Sequence, residues 1–283
     1  LVMLAFWVIT SAKTSEFSSV ENSGSLKRGE YVFNASGCAS CHSSPDATQA
    51  EKLVLTGGRS FPSPFGTFYA PNISMDKVNG IGAWSEEDFA NAVLHGVSPE
   101  GTHYYPSFPY TAYANMTDQD IADLWVYFRS IPESSTPSID HDLPIYVRWR
   151  RPLAFWKLFN KRKPIIDLVS TDATIQRGAY LVETLGHCGE CHTSRNFIGG
   201  LQYEYWLGGA KNPTGRGMIP NLTPAKLTWN TEEIVEYLTS GFTPDFDVAG
   251  GHMVDVIENT SKLTDEDRLA IAKYLKAIPE VQK

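Results

Sequence analysis

The stretch CASCH, from Cys38 to His42, is the most informative part of this chain, and a second copy, CGECH, runs from Cys188 to His192. In both copies two residues separate the cysteines, and a histidine directly follows the second cysteine. These copies contain all 4 cysteines of the chain, so no cysteine remains for a structural disulfide. Each copy therefore offers two thiols and one imidazole within a single short segment.

The cysteine motifs belong to a longer internal repeat. Four blocks of the first half recur in the second half, in the same order and about 145 to 150 residues further on. The pairs are RGEYVFNASGCASCH (28–42) with RGAYLVETLGHCGECH (177–192), APNIS (70–74) with IPNLT (219–223), WSEEDFANAVLHG (84–96) with WNTEEIVEYLTSG (229–241), and TDQDIADLWVYFRSIPE (117–133) with TDEDRLAIAKYLKAIPE (264–280). The sequence therefore predicts one domain used twice.

Each repeat is predicted to be mainly α-helical. Thr117 and Thr264 each stand three residues before an aspartate, which is typical of a helix N-cap. Apolar residues follow Thr117 at helical spacing and predict one buried face, formed by Ile121, Leu124, Trp125 and Phe128. We predict domains at 25–133 and 174–283, joined by a long linker at 134–173, after an N-terminal segment at 1–24.

Three chemistries use a pair of cysteines at this spacing. A zinc site needs four ligands, and the two motifs lie in separate repeats that should each be complete. A thioredoxin-like dithiol normally occupies a strand-rich βαβ setting, which neither copy shows. A covalently attached haem uses both thiols as thioethers and needs the histidine that follows as its proximal iron ligand. Because that histidine is present both times, the sequence predicts two covalently bound haem c groups, ligated by His42 and His192.

The motifs and blocks together resemble tandem class I cytochrome c domains. Gly29 and Gly178 resemble the glycine that lets the N-terminal and C-terminal helices of that fold cross closely, and Tyr127 and Tyr274 resemble its partner. APNIS, GAWSEEDF, HGVSPEG, HYYPSFPY and GHCGECHTSRN are similar to the cytochrome subunits of membrane-bound gluconate and alcohol dehydrogenases. The resemblance runs from about Leu26 to the C-terminus and implies an electron-transfer protein.

The sixth iron ligand differs between the repeats. In the second repeat Met253, in GGHMVDV, is the expected ligand, with His252 as the alternative. In the first repeat the related dehydrogenase subunits carry methionine in a YPxMPY stretch, whereas this chain has Phe108 there, which cannot bind iron. We expect Met116 to take over, although it also fits a residue that packs against the following helix. The other possibilities are His103, His95 and an open iron.

Three further residues are predicted to surround the haem groups. Arg59 pairs with a haem propionate or is a solvated loop charge. Asn72 and Asn221 occupy matching positions of the repeat, and each hydrogen-bonds a propionate or forms an Asx turn.

The N-terminus and the linker bear on location. The opening run LVMLAFWVIT is almost uniformly apolar but too short to cross a bilayer, and we interpret it as the outer end of a membrane anchor, with a cleaved signal peptide as the alternative. In the linker, RWRRPLAFWKLFNKRK (148–163) has seven basic residues and no acidic one. It is either a strap whose aromatics pack inward or a surface for anionic lipids or a partner.

The formal charge of −8 argues against nucleic-acid binding, since phosphate contacts need a basic face. We expect an exported carrier of single electrons, on the periplasmic side of a bacterial inner membrane, and not an enzyme. Its redox partners would be a dehydrogenase or quinol-oxidising complex and a downstream cytochrome or terminal oxidase. The rival hypothesis is a dihaem peroxidase-type or thiosulfate-oxidising enzyme with one catalytic haem, which Phe108 keeps open.

Overall fold

The computed structural model describes residues 7, 9–12, 14, 24–160, 172–213 and 217–282. Most of the predicted anchor, residues 1–24, and residues 161–171 of the predicted linker lie outside that description. The chain forms two compact units, Leu1–Phe33 with Cys41–Lys161 and Asn34–Ser40 with Arg162–Lys283. The predicted mainly α-helical fold is confirmed. Every helix among the described residues is too short or too polar to span a bilayer.

The first repeat contains short helices and one hairpin. Its elements are α1 (Leu26–Ala35), α2 (Cys38–His42), β1 (Ser60–Ser63), β2 (Gly66–Tyr69), α3 (Glu86–His95), α4 (Tyr110–Tyr113) and α5 (Asp118–Phe128), followed in the linker by α6 (Ile145–Arg148) and α7 (Leu153–Phe159). Strands β1 and β2 are antiparallel, with Ser60 opposite Tyr69 and Ser63 opposite Gly66.

The second repeat follows the same order. Its elements are α8 (Ala173–Ala179), which continues as a π-helical stretch (Tyr180–Leu185), α9 (Gly189–His192), β3 (Ala210–Lys211), β4 (Met218–Ile219), α10 (Thr231–Ser240), α11 (Met253–Thr260) and α12 (Asp265–Ala277). Each repeat thus has one short hairpin between the helix of its cysteine motif and the α-helix that follows. At the turn of the first hairpin Gly66 has a φ of +110°, and a Cβ atom there would meet the carbonyl oxygen of Asp142 at 2.5 Å.

Side-chain caps fix where the main helices begin. The hydroxyls of Thr117 and Thr264 accept the backbone N–H groups of the residues three positions on, at 3.1 and 3.2 Å, which confirms the predicted N-caps. Ser85 caps α3 through a reciprocal box with Asp88, which compensates the unpaired N–H groups of the first turn. The predicted apolar face of α5 is buried, because Ile121, Leu124, Trp125 and Phe128 are each at most 6% exposed.

Each repeat closes where its first and last helices cross. A Cβ atom added at Gly29 would collide with the carbonyl oxygen of Asp123 on α5 and lie 2.7 Å from the Cβ atom of Tyr127. A Cβ atom at Gly178 would collide with the carbonyl of Ala270 on α12 and lie 2.7 Å from the Cβ atom of Tyr274. The crossing that the resemblance implied is thus present in both repeats.

Candidate functional site

Helix α2 places the first cysteine motif on a single helical turn. Because side chains three and four positions apart share one face of a helix, the thiols of Cys38 and Cys41 and the imidazole of His42 point to the same side. His42 Nδ1 lies 2.8 Å from the carbonyl oxygen of Pro71, which can only accept, so Nδ1 carries the proton. Nε2 is therefore the lone-pair nitrogen, which is the form of histidine that binds a metal.

Helix α9 repeats this arrangement in the second unit. His192 is 7% exposed, and its Nδ1–H donates to the carbonyl oxygen of Pro220 at 2.8 Å. Burial lowers the pKa of both His192 and His42 below the ordinary value of 6.5, which keeps the imidazoles neutral and able to bind a metal. The two histidines thus have the same tautomer, the same acceptor and the same available nitrogen.

The four cysteines are available for attachment of haem. The structure describes all four of them and joins no two in a disulfide. Before attachment, burial raises the pKa of the Cys188 thiol to about 12 and also raises that of Cys191. Two cysteines beside a histidine with an available Nε2 fit covalent attachment of haem c in each repeat, with the histidine as proximal ligand.

Two asparagines fix the proline carbonyls that orient the histidines. Asn72 is 3% exposed and donates both amide hydrogens to protein, to the carbonyls of Ser134 and Thr136 at 2.8 Å. Its Oδ1 accepts the N–H of Ser74 at 2.8 Å, which closes an Asx turn. These bonds occupy both amide hydrogens of Asn72. Its contact with a haem propionate stays a prediction.

Asn221 plays the matching part in the second repeat. Its Oδ1 accepts the N–H of Thr223 at 2.8 Å, and its Nδ2 donates to the carbonyl of Val281 at 2.8 Å. The Asx-turn alternative therefore describes both asparagines, and the propionate contact of Asn221 also stays a prediction. Arg59 is half-buried and its carbonyl accepts the N–H of Ala70 at 2.9 Å, while its pairing with a propionate stays a prediction as well.

A shared backbone pattern shows which residue of the first repeat corresponds to Met253. An isolated bridge joins Val97 to His103 in the first repeat and Phe242 to Val248 in the second. Five residues beyond these bridges stand Phe108 and Met253 respectively. The register therefore places phenylalanine where the second repeat has its predicted ligand. The ring of Phe108 lies 6.0 to 6.3 Å from three tyrosine rings, those of Tyr104, Tyr110 and Tyr113.

Of the proposed substitutes for that ligand, Met116 and His103 are buried and His95 is half-buried. Met116 is 6% exposed and directly precedes the N-cap of α5, and Leu263, equally exposed, directly precedes the N-cap of α12. Leucine cannot bind iron, so this position packs in both repeats. His103 is 5% exposed, its Nε2 lies 3.2 Å from the carbonyl oxygen of Thr10, and its Nδ1 has no hydrogen-bond partner among the residues that the structure describes. Ligation by Met116, His103 or Met253 stays a prediction.

The sequence interpretation missed the two proline carbonyls. The repeat of this segment was visible in the sequence, because Pro71 and Pro220 open the repeated blocks PNIS and PNLT.

The sequence interpretation also missed a buried chain of hydrogen bonds in the second repeat. In this chain Trp206 Nε1 donates to the hydroxyl of Tyr274 at 3.1 Å, and that hydroxyl donates to Glu183 at 2.7 Å. Burial and the nearby carboxylate raise the pKa of the Tyr274 phenol, so it stays protonated and can donate.

Comparisons with known proteins agree with two haem c sites. Residues 26–132 match the family model of cytochrome c. A dihaem cytochrome c-type protein of Cereibacter sphaeroides is 49% identical over 286 residues, which cover 100% of this chain and 97% of that relative. The cytochrome subunit of fructose dehydrogenase from Gluconobacter japonicus is 33% identical over 99% of this chain, and the gluconate 2-dehydrogenase cytochrome c subunit of Pantoea cypripedii is 34% identical over 91%.

This chain spans 58% of the length of the fructose dehydrogenase subunit and 60% of that of the gluconate dehydrogenase subunit. It covers nearly the whole of the Cereibacter protein, however, and the predicted resemblance to such cytochrome subunits is confirmed. The protein carries two covalently bound haem c groups, for which the two Cys-x-x-Cys-His motifs are the predicted attachment sites, and it is an electron-transfer component rather than a catalytic enzyme. The chain belongs to the dihaem c-type cytochromes.

Proposed function

We propose that this cytochrome accepts single electrons from a periplasmic dehydrogenase or a quinol-oxidising complex and passes them to a downstream cytochrome or terminal oxidase. The observation that carries the proposal is the pair of matched sites. In both, the Nδ1–H of the proximal histidine is tied at 2.8 Å to a proline carbonyl. Haem, when bound, supplies one-electron chemistry at a potential set by its ligands and surroundings.

The chain's own residues hold that chemistry in a fixed geometry. His42 cannot rotate without breaking its bond to Pro71, and the segment of Pro71 is in turn held by the hydrogen bonds of Asn72. A ligand fixed in this way has the same position in both oxidation states, which favours rapid electron transfer. The same carbonyl makes the imidazole more basic and therefore favours the oxidised iron.

The relatives support a dehydrogenase as the electron donor. Two of them are named as cytochrome subunits of fructose dehydrogenase and gluconate 2-dehydrogenase. The proposal extends to location: the chain is exported to the periplasmic side of a bacterial inner membrane, and its N-terminal segment anchors it. The support for this part is the apolar run LVMLAFWVIT. The rival interpretation, an enzyme with one catalytic haem, depended on Phe108, and the dehydrogenase cytochrome subunits among the relatives favour the carrier.

Reduction by a physiological donor tests the proposal. The holo-protein is mixed with membranes that contain a sugar or alcohol dehydrogenase and its substrate, and the absorbance of reduced haem is followed. We expect both haem groups to be reduced by the membranes and reoxidised by an added oxidised cytochrome. Membranes without dehydrogenase substrate or quinol are the control. Catalytic turnover of peroxide, with no reduction by substrate-fed membranes, would contradict an electron carrier.

A further inference from the structure

The described part of the linker carries a two-faced segment, Leu143–Asn160, here named the basic strap. Its inner face packs against the first repeat, where Leu143 is 4% exposed and forms a buried cluster with Phe68 and Tyr105, against which Val147 and Leu153 pack. The hydroxyl of Tyr105 donates to the carbonyl of Val147 at 3.0 Å. The strap is therefore fixed on the first unit with one side turned inward.

A half-buried lysine holds the second helix of the strap. Lys157 Nζ donates to the carbonyls of His95 and Gly96, both at 2.7 Å, at the C-terminal end of α3. It also lies 4.6 Å from the ring centre of Tyr110, close enough for a cation–π contact. These bonds fix the rotation of α7 and thus determine which of its side chains face outward.

The outer face of the strap is apolar and aromatic. Its exposed side chains stand on α6, α7 and the turn between them: Ile145 (85%), Tyr146 (75%), Trp149 (59%), Leu158 (67%) and Phe159 (77%). Of the two arrangements that the sequence left open, the inward packing of the aromatics does not hold for Trp149 and Phe159. Burying five large apolar side chains against another surface would remove a substantial unfavourable exposure to water.

The same segment is basic on an otherwise acidic protein. Between residues 143 and 160 the sequence has four basic residues, Arg148, Arg150, Arg151 and Lys157, and no acidic one, whereas the whole chain has a net charge of −8. Arg148 is exposed beside Trp149. Tryptophan and tyrosine next to arginine are typical of surfaces that lie in the headgroup layer of an anionic bilayer.

The end of the apolar N-terminal run is attached to this strap. Arg151 donates to the carbonyl of Trp7 at 3.2 Å and to the hydroxyl of Thr10 at 3.1 Å, and its guanidinium lies 3.3 Å from the centre of the Trp7 ring. Trp7 and Ile9 are 52% and 58% exposed. The strap therefore belongs to the same unit as Trp7 and Thr10, which lie near the end of the run LVMLAFWVIT, and Arg151 bonds the strap to both.

We propose that the outer face of the basic strap, Ile145–Phe159, lies on an anionic lipid bilayer. Lipid is favoured over a protein partner by the attached apolar run and by arginine interleaved with exposed aromatics. The aromatic side chains enter the headgroup layer, the exposed Arg148 pairs with anionic headgroups, and the first repeat is held at the membrane surface. This extends the proposed membrane location, and its test does not use electron transfer.

Hydrogen–deuterium exchange of the full holo-protein tests the proposal. Exchange of peptides that cover residues 143–160 is measured with vesicles of phosphatidylcholine alone and with vesicles that also contain phosphatidylglycerol. We expect exchange to slow at least about fivefold in the anionic vesicles, the factor that corresponds to about 1 kcal/mol for one arginine near such a surface. About 0.5 M salt should reduce the difference, because it screens the headgroup charge.

Two pairs of variants identify the surface. Replacing Trp149 and Phe159 by serine should abolish the protection, whereas replacing Val78 and Phe197, which are 87% and 92% exposed outside the strap, should leave it unchanged. The N-terminal run is the same in all of these proteins, so it cannot cause the difference.

Arg148→Gln should weaken the protection and its salt dependence, and Arg129→Gln, an exposed arginine at the end of α5, should not. Equal exchange of residues 143–160 in both kinds of vesicle would overturn the proposal, and so would protection that survives in the Trp149 and Phe159 double variant. In the first case the exposed apolar face would be left for a protein partner.

Discussion

Replacing Asn72 by alanine tests how the segment that orients His42 is held. The change removes three buried hydrogen bonds, each of 2.8 Å, to the carbonyls of Ser134 and Thr136 and from the N–H of Ser74. At about 1 kcal/mol for each bond, the free energy of unfolding of the first unit should fall by about 3 kcal/mol. The loss should be near this value because Asn72 is 3% exposed and water cannot easily replace its amide.

The same variant should alter the first haem. Pro71, which accepts the Nδ1–H of His42 at 2.8 Å, directly precedes Asn72 in the chain. When that segment loosens, the hydrogen bond weakens and the imidazole becomes less basic, which stabilises oxidised iron less. We therefore expect the midpoint potential of the first haem to rise, while that of the second haem stays unchanged.

Guanidinium unfolding, followed by circular dichroism and haem absorbance, measures the stability, and spectroelectrochemistry measures the two potentials. Unfolding should be fitted as two transitions, because two compact units need not unfold together.

The matched control is Asn196→Ala, since Asn196 forms an exposed turn by accepting the N–H groups of Ile198 and Gly200 at 3.1 and 3.0 Å. There water replaces the amide, and the loss should stay below about 1 kcal/mol. Equal losses at Asn72 and Asn196, with unchanged potentials, would refute the reasoning.

Three further predictions concern the helix crossing, an ion pair and a ligand. Gly29→Ala should destabilise the first unit by about 2 kcal/mol or more in guanidinium unfolding, because its Cβ would collide with backbone. Gly250→Ala, with nothing within 4 Å, should change the stability by less than about 0.5 kcal/mol. Burial raises the pKa of Asp123, but hydrogen bonds led by that of Arg28 outweigh it and hold the pKa below its ordinary value of 3.8. The ionised carboxylate of Asp123 therefore stabilises the fold above pH 3.8, and this contribution is lost as the pH falls through the folded pKa. The difference in the free energy of unfolding between wild type and Asp123→Asn, measured at a series of pH values, should shrink in acid. Met253→Leu should open the second iron and add about half of the total haem to the fraction that binds carbon monoxide, as read from difference spectra; an unchanged fraction would remove Met253 as ligand.

The sequence predicted those features that a single residue or a short spacing encodes. The N-cap threonines were recognisable because capping depends on residues three positions apart. The helix crossings at Gly29 and Gly178 were predicted from the resemblance, and the structure supplies the reason: any side chain there would strike the backbone of the last helix. Both cysteine motifs were recognisable in the same way, because the two thiols and the imidazole lie on one helical turn.

Features that depend on distant backbone atoms were not predictable. The carbonyl of Pro71 is 29 positions from His42. The repeated blocks PNIS and PNLT mark this segment as shared by the two repeats, but every residue has a carbonyl, so the sequence does not show that the proline carbonyl is the acceptor. The hairpins were not predicted, because strands of four and two residues are too short to show an alternating pattern of polar and apolar residues. The face of the strap that points outward depends on Lys157 bonding to α3, which is also a long-range contact.

The two repeats are alike at the predicted proximal histidines and unlike at the position of the predicted sixth ligand. Each histidine bonds to a proline carbonyl at 2.8 Å, although His42 is half-buried and His192 is buried. On the other side the same backbone register holds Met253 in one repeat and Phe108, packed among three tyrosine rings, in the other. If Met253 binds the second iron, any group that binds the first iron must approach from elsewhere in the fold. Unequal sixth ligands would give the two haem groups unequal potentials, and we therefore expect electrons to prefer one haem of this duplicated domain.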